Sequence, residues 1–210
     1  MALAALVASG CGGGEKKAEN AVFRVGVPHL MTTYDHTKGF DGWSTTRIGV
    51  GETVVKFDVE GKLVSWLADF DGNVFTVKDV KFSDGSRVTA KDICDSLTNS
   101  CKKNIRAKNV MKHSSWKVLA ENKFEYTGEK SILTDPMFCI AKGNLYTGGK
   151  VISYTNQKAV VERNGRTYEY VAISDSTTRG MSMETGEVDA VFDVNVLSAI
   201  VKAFSPVEVL

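Results

Sequence analysis

Apolar and polar residues alternate from Val22 to Val27, and Pro28 closes the run, which predicts a first strand because successive strand side chains point to opposite faces. His29 to Ser44 is polar and aromatic with Gly39 and Gly42 inside it, the pattern of a loop. Thr45 to Val55 reads as a short helix, and the Asp58–Gly61 tetrad as a tight turn. Two strands are predicted over Lys62 to Asp69 and Val74 to Phe82, with Asp71-Gly72-Asn73 turning between them. After the turn Ser83–Ser86, Thr89 stands where a helix N-cap should, and Asp92 places negative charge in the first turn of a helix reaching about Lys103. A second helix is expected over Ile105 to His113, and Trp116 to Tyr126 alternates like one long strand.

Beyond the glycine-rich stretch from Gly143 to Gly149, Lys150 to Tyr154 and Lys158 to Arg163 read as the strands of a hairpin, and Thr167 to Ile173 as a further strand. Ser174 or Asp175 caps a predicted helix over Thr177 to Thr185, Gly186 stops it, and Val188 to Phe192 follows as a buried strand. Strands interleaved with helices make the chain α/β, with an antiparallel portion in the middle.

Composition removes some function classes. The 210 residues are 43% hydrophobic and 24% charged, the balance of a globular domain. Lys and Arg number 26 against 25 Asp and Glu, a net charge of +1, with basic residues interleaved among acids along the whole chain. Nucleic acid as a partner would call for a clustered basic face, which this pattern does not supply. The apolar run from Met1 to Ala8 is too short to span a bilayer.

That run leads into Ala8-Ser9-Gly10-Cys11, then glycines and the charged tether Glu15-Lys16-Lys17. Small residues before a cysteine resemble the bacterial lipobox, although Ala8 stands where leucine is usual and no Lys or Arg precedes the apolar run. The resemblance implies export, lipidation at Cys11, and residues 1–20 as signal and tether, with a flexible spacer between anchor and domain. Cys94 and Cys101 share a helix face but lie ~10 Å apart along it, beyond disulfide reach. With no Cys-x-x-Cys and no His–Cys cluster, the cysteines, Cys139 included, read as small core residues and not as a zinc site.

Three motifs in order carry a family resemblance. Gly49-Val-Gly-Glu-Thr-Val-Val-Lys-Phe-Asp58 runs into Gly61-Lys-Leu-Val-Ser-Trp-Leu-Ala68. Phe75-Thr-Val-Lys-Asp-Val-Lys-Phe-Ser-Asp-Gly85 is followed by Val88-Thr-Ala-Lys-Asp92. Ile173-Ser-Asp-Ser-Thr-Thr-Arg179 precedes Met183-Glu-Thr-Gly-Glu-Val-Asp189. Together they resemble the extracellular solute-binding proteins of the dipeptide, oligopeptide and nickel class. The resemblance implies a periplasmic-binding-protein-like (type II) lobe I with a mixed sheet and an antiparallel subdomain over about residues 50–150, the incomplete lobe spanning residues 21–210. Members of the family are more than twice as long, so the second lobe is expected to be absent here. The segments 69–73, 125–135 and 145–150 are shorter than the family's usual loops.

The same resemblance implies a substrate-binding component of an ABC importer, exported to the periplasm or the outer face of the cytoplasmic membrane, partnered by a permease and by the membrane through its lipid. It would take a peptide or a nickel or other metal chelate and need no cofactor. Carried onto this chain, the family's ligand groups fall on Thr32, Tyr34, His36, Trp43 and Arg47, with Met137 and Phe138 on the opposite rim. Aromatic rings and an arginine fork suit a peptide or a carboxylate-bearing chelate. Trp43 also has a packing reading and Arg47 a solvated one; Asp175–Thr178 and Glu184–Asp189 read as caps and turns. His29 and His36 share a loop and imidazole suits nickel, yet without a cysteine or carboxylate partner they name no resident metal site. No Gly-x-Ser-x-Gly, His-Glu-x-x-His or phosphate-loop motif is present, so the expectation is a non-enzyme. Two other readings stay open: a non-transporting fragment or partner-dependent module with the fold of lobe I, and a secreted hydrolase.

Overall fold

The structure is a computed structural model and describes residues 22–193; Cys11 and the signal-like segment lie outside the described residues. The chain begins with β1 (Phe23–Val27), passes through a long loop to α1 (Gly42–Arg47), and then runs through β2 (Val55–Phe57), β3 (Leu63–Ser65), β4 (Ala68–Asp71) and β5 (Val74–Val77). Next come α2 (Ala90–Lys103), α3 (Ile105–Val110), β6 (Ser115–Ala120) and β7 (Lys123–Thr127). Two 3-10 turns at Lys130–Thr134 and Pro136–Phe138 lead to β8 (Ala141–Lys142) and β9 (Leu145–Tyr146). The last part contains β10 (Lys150–Tyr154), β11 (Lys158–Arg163), β12 (Arg166–Ala172), α4 (Ser176–Glu184) and β13 (Ala190–Val191).

Two hydrophobic cores result. The first is built on the antiparallel sheet β4-β5-β7-β6, where Phe75 stacks on Phe124 at 4.9 Å and α2 contributes Ile93 and Leu97. The second lies under the mixed sheet β10-β11-β12-β1-β13 and gathers Val25, Val27, Ile48, Val161 and Tyr170. In that sheet β10, β11 and β12 are antiparallel, while β1 runs parallel to both β12 and β13. The chain therefore carries β12 past β1, by way of α4, to β13. This is the crossover that parallel strands require.

Local signals placed several elements well. Thr89 and Asp92 form a reciprocal capping box: the Thr89 hydroxyl accepts from the Asp92 amide at 3.2 Å, and the Asp92 carboxylate accepts from the Thr89 amide at 2.9 Å. Asp175 caps α4 by accepting from the Thr178 amide at 2.7 Å. Asn104 ends α2 and starts α3, its side chain accepting from the Arg106 amide.

Other elements differ from the sequence reading. The helix expected over Thr45–Val55 lies earlier, at Gly42–Arg47. Gly49 has φ of +69°, which ends it, and Gly51 passes so close to the Thr45 and Cys139 side chains that a Cβ there would sit 2.5 and 2.7 Å from them. Val55 then enters a strand. The strand expected over Lys62–Asp69 breaks at Trp66, because the amides of Trp66, Leu67 and Ala68 all converge on the Val54 carbonyl. The one expected over Val74–Phe82 stops at Val77, and the second helix at Val110. Trp116–Tyr126 is a hairpin and not one strand. Val188–Phe192 contributes only the two-residue edge strand β13.

Candidate functional site

In open sheets with parallel strands, ligands gather outside the carboxyl ends, where neighbouring connections depart in different directions. Here those ends are Val27, Ala172 and Val191. The Ile173 amide donates to the Val27 carbonyl at 2.7 Å, and the Phe192 amide to the Gly26 carbonyl at 2.9 Å, so the pairing continues to the rim. Arg179 of α4, 2% exposed, finishes it. Its guanidinium donates to the carbonyls of Phe192 (2.7 Å) and Ser174 (3.2 Å), and to those of Ile173 and Asp193. One planar fork thereby ties the ends of β12 and β13 into a fixed edge.

The loop after β1 is held with similar thoroughness. Asp41 accepts from the Thr33 amide (2.9 Å) and hydroxyl (2.6 Å), and Ser44 accepts from the Met31 amide at 2.5 Å. The Tyr154 hydroxyl lies 2.9 Å from the Met31 carbonyl, and the Tyr146 hydroxyl donates to the Tyr34 carbonyl at 3.0 Å. Thr32 stands exposed between two pinned neighbours.

Above this loop, α1 presents Trp43 and Arg47 one turn apart on one face. Trp43 is 49% exposed. The Arg47 guanidinium donates to the His29 carbonyl at 3.1 Å, lies 3.2 Å from His29 Nε2, and approaches the Asp193 carboxylate at 3.6 Å. Its side chain is only 19% exposed, whereas that of Asp193 is 63% exposed. An anchored guanidinium, an imidazole and a carboxylate thus meet at the carboxyl ends of β1 and β13, with an exposed indole one helical turn from the guanidinium on α1. Such a set can receive a carboxylate, an amine or a small zwitterion.

The remaining sequence candidates sit elsewhere. His36 is 2% exposed, 3.1 Å from the Tyr146 hydroxyl through Nδ1 and 3.2 Å from the Ser100 hydroxyl through Nε2. Tyr146 spends its single proton on the Tyr34 carbonyl, so Nδ1 carries the proton and Nε2 accepts from Ser100. Burial lowers this imidazole to about 4, against the opposing pull of Asp35 and with a smaller push from Lys103. His36 is therefore a neutral tie between the loop and α2. Tyr34 is half-buried, its ring packed on Tyr154 at 5.2 Å and Tyr146 at 6.1 Å. Met137 and Phe138, expected on an opposite rim, are buried at 4% and 0% exposure in the first core. The Asp135 carboxylate accepts from the Met137 amide and turns that segment inward, where it supports α1 from behind.

Of the seven candidates, the structure brings together Trp43 and Arg47, leaves Thr32 exposed on the adjoining loop, and uses the other four for packing. The sequence reading missed Asp193 and Arg179. Asp193 follows directly on a predicted strand, which was the signal for it; Arg179 had none, because its role exists only once the ends of β12 and β13 lie side by side. Among the described residues no group of three or more His, Cys, Asp or Glu could hold a metal ion, and no helix is long and apolar enough to cross a membrane.

No protein-family model matches the chain, and no curated protein does. Solved structures do match. A nickel ABC transporter structure from Bacillus halodurans aligns with a TM-score of 0.74 at 19% identity, over 87% of this chain and 45% of that one. The AgaA binding protein in complex with agropinic acid, from A. tumefaciens R10, aligns with a TM-score of 0.70 at 19% identity, over 89% of this chain and 46% of that one. The periplasmic binding protein DppA from Helicobacter pylori, in complex with the peptide STSA, aligns with a TM-score of 0.66 at 16% identity, over 89% and 49%. The chain thus has a periplasmic-binding-protein-like fold and spans less than half the length of these solved chains.

Proposed function

We propose that this chain forms one wall of the ligand cleft in an exported substrate-binding protein that serves an ABC importer and performs no chemistry of its own. The observation that carries the reading is the Arg47–His29–Asp193 cluster at the carboxyl ends of β1 and β13, with the exposed Trp43 one helical turn from Arg47. The shared fold supports it. The ligand is a small solute bearing at least one carboxylate, such as a peptide or a histidine-type metal chelate, because the buried side of the cluster is a guanidinium and its outer side an exposed indole. A permease as partner, lipid attachment through Cys11 and a place outside the cytoplasmic membrane belong to the same reading.

The test is calorimetric titration of the 210-residue chain with three probes: the peptide Ser-Thr-Ser-Ala, the nickel–histidine complex and agropinic acid. Saturable binding of at least one is expected. Arg47→Ala should weaken that binding about tenfold or more, as loss of a charge-assisted pair does. Absence of binding by all three, or affinity unchanged in Arg47→Ala, would count against the reading.

A further inference from the structure

The interleaving of acids and bases along the chain breaks once. Between Asp95 and Glu121 stand six Lys and Arg residues and no Asp or Glu. Five of the six, Lys102, Lys103, Arg106, Lys108 and Lys112, belong to the end of α2, to α3 and to the turn after it. None of these five forms an ion pair among the described residues; the sixth, Lys117, pairs with Glu125.

The fold brings a second segment to this corner. The Asn104 side chain donates to the Gly39 carbonyl at 3.0 Å, and the Arg106 guanidinium donates to the same oxygen at 3.4 Å. That guanidinium also lies 4.0 Å from the centre of the Phe40 ring. Lys38 and Phe40 are thereby fixed beside α3, and Phe40 stays 53% exposed. Ile105, between the two residues that hold Gly39, is 68% exposed. Ala107, and Met111 just after the helix, turn into the first core, so Ile105 and Lys108 stand one turn apart on the outer face of α3. Asp35 is the acid that acts on Lys103, and its carboxylate is engaged by the Thr37 amide and hydroxyl.

We infer that this corner docks on the surface of an anionic bilayer. Ile105 and Phe40 enter the boundary between headgroups and acyl chains, and the cations around them face lipid phosphates. This contact is separate from the solute cleft and from lipid attachment at Cys11. Two features favour a bilayer over another polyanion. Lys38, Lys102, Lys103, Lys108 and Lys112 outnumber the single Arg106, and ammonium groups act as point charges drawn to a layer of negative charge, with no converging pocket required. An exposed aliphatic side chain gains nothing from a phosphate backbone, whereas at a bilayer it is buried.

The experiment measures flotation of the full chain with vesicles of phosphatidylglycerol in phosphatidylcholine and with vesicles of phosphatidylcholine alone; heparin, a soluble polyanion, is titrated separately. Binding to the anionic vesicles is expected at about tenfold or more above that to the neutral ones, and it should weaken as salt rises. The apolar run from Met1 to Ala8 is common to every variant, so differences among variants report the corner. Lys102→Gln/Lys108→Gln/Lys112→Gln should lower binding about tenfold or more, and Ile105→Ser severalfold. Arg163→Gln/Arg166→Gln, at the β11–β12 turn, should change it less than about twofold. All these side chains are exposed, so the thermal midpoints should stay within about 3 °C of the wild-type chain. No binding to the anionic vesicles, or equal losses in the lysine and arginine variants, would overturn the inference. So would vesicle binding that Ile105→Ser leaves unchanged beside heparin binding of equal strength, the behaviour of a general polyanion surface.

Discussion

Arg179→Met is expected to lower the thermal unfolding midpoint by ~10 °C, from a loss of about 3–5 kcal/mol. The residue is buried, and its hydrogen bonds go to four backbone carbonyls on segments 173–174 and 192–193. Methionine keeps much of the stem's volume but strands those carbonyls, each of which costs about 1–3 kcal/mol when buried without a partner. The effect is moderated where the rim reaches water, since Ser174, Phe192 and Asp193 are exposed. Arg179→Lys should fall between, because a single ammonium cannot span both strand ends. Arg87→Met is the matched control. That arginine forms an exposed pair with Asp79, both side chains more than half exposed, so its removal is expected to stay within ~1 kcal/mol. Thermal unfolding followed by circular dichroism checks all three. A shift in Arg179→Met no larger than that of Arg87→Met would show that the strand ends are not held through this residue.

The second large effect is on acid stability. Burial lowers His36 to about 4, while the same imidazole in the unfolded chain titrates near its ordinary value of 6.5. Between those values the unfolded chain binds the extra proton, so stability rises with pH across that window and is lost as pH falls. The contribution is complete above pH 6.5, and about 3 kcal/mol of it should be gone at about pH 4. Asp35 and Lys103 face the same imidazole and act in opposite directions on it. The carboxylates of Asp92 and Asp175, lowered by accepting hydrogen bonds from Thr89 and Thr178, also lose stability in acid, but below their ordinary value of 3.8. The two windows therefore separate. Urea unfolding at about pH 7 and pH 4 should show the His36 step in the wild-type chain and a much smaller one in His36→Gln. An equal step in both would place the titration on another group.

How much of this could be read beforehand depended on whether the deciding contact was local. β1, the β10–β11 hairpin, α2 with its capping box and α4 with its Asp175 cap are specified by neighbouring residues, and the sequence reading placed them within a few positions. The β6–β7 hairpin was hidden by its own pattern. Trp116, Val118, Phe124 and Tyr126 keep one alternation through the turn at residues 121–122, so two strands read as one. The position of α1 depends on Gly51 packing against Cys139, a contact 88 residues away in sequence. The same limit applied to the site. Trp43 and Arg47 share a face only because α1 starts at Gly42; a helix beginning at Thr45, as the sequence predicts, would put Trp43 in the preceding loop. His36, Met137 and Phe138 have the right side chains for a ligand, but Tyr146, Ser100 and the Asp135 cap turn them inward, and no spacing reveals that. Arg179 is the converse case: its role exists only once two distant strand ends lie side by side.

Solute binding at the carboxyl-end face can be measured directly by a two-dimensional ¹⁵N NMR titration of the full chain with the peptide, nickel–histidine and agropinic acid probes, in buffer free of phosphate. Shift or broadening confined to residues 29–34, 43–47, 173–175 and 191–193 with at least one probe is the expected result. No response to any probe, or a response confined to the β4-β5-β7-β6 sheet or to the β11–β12 turn, would contradict it.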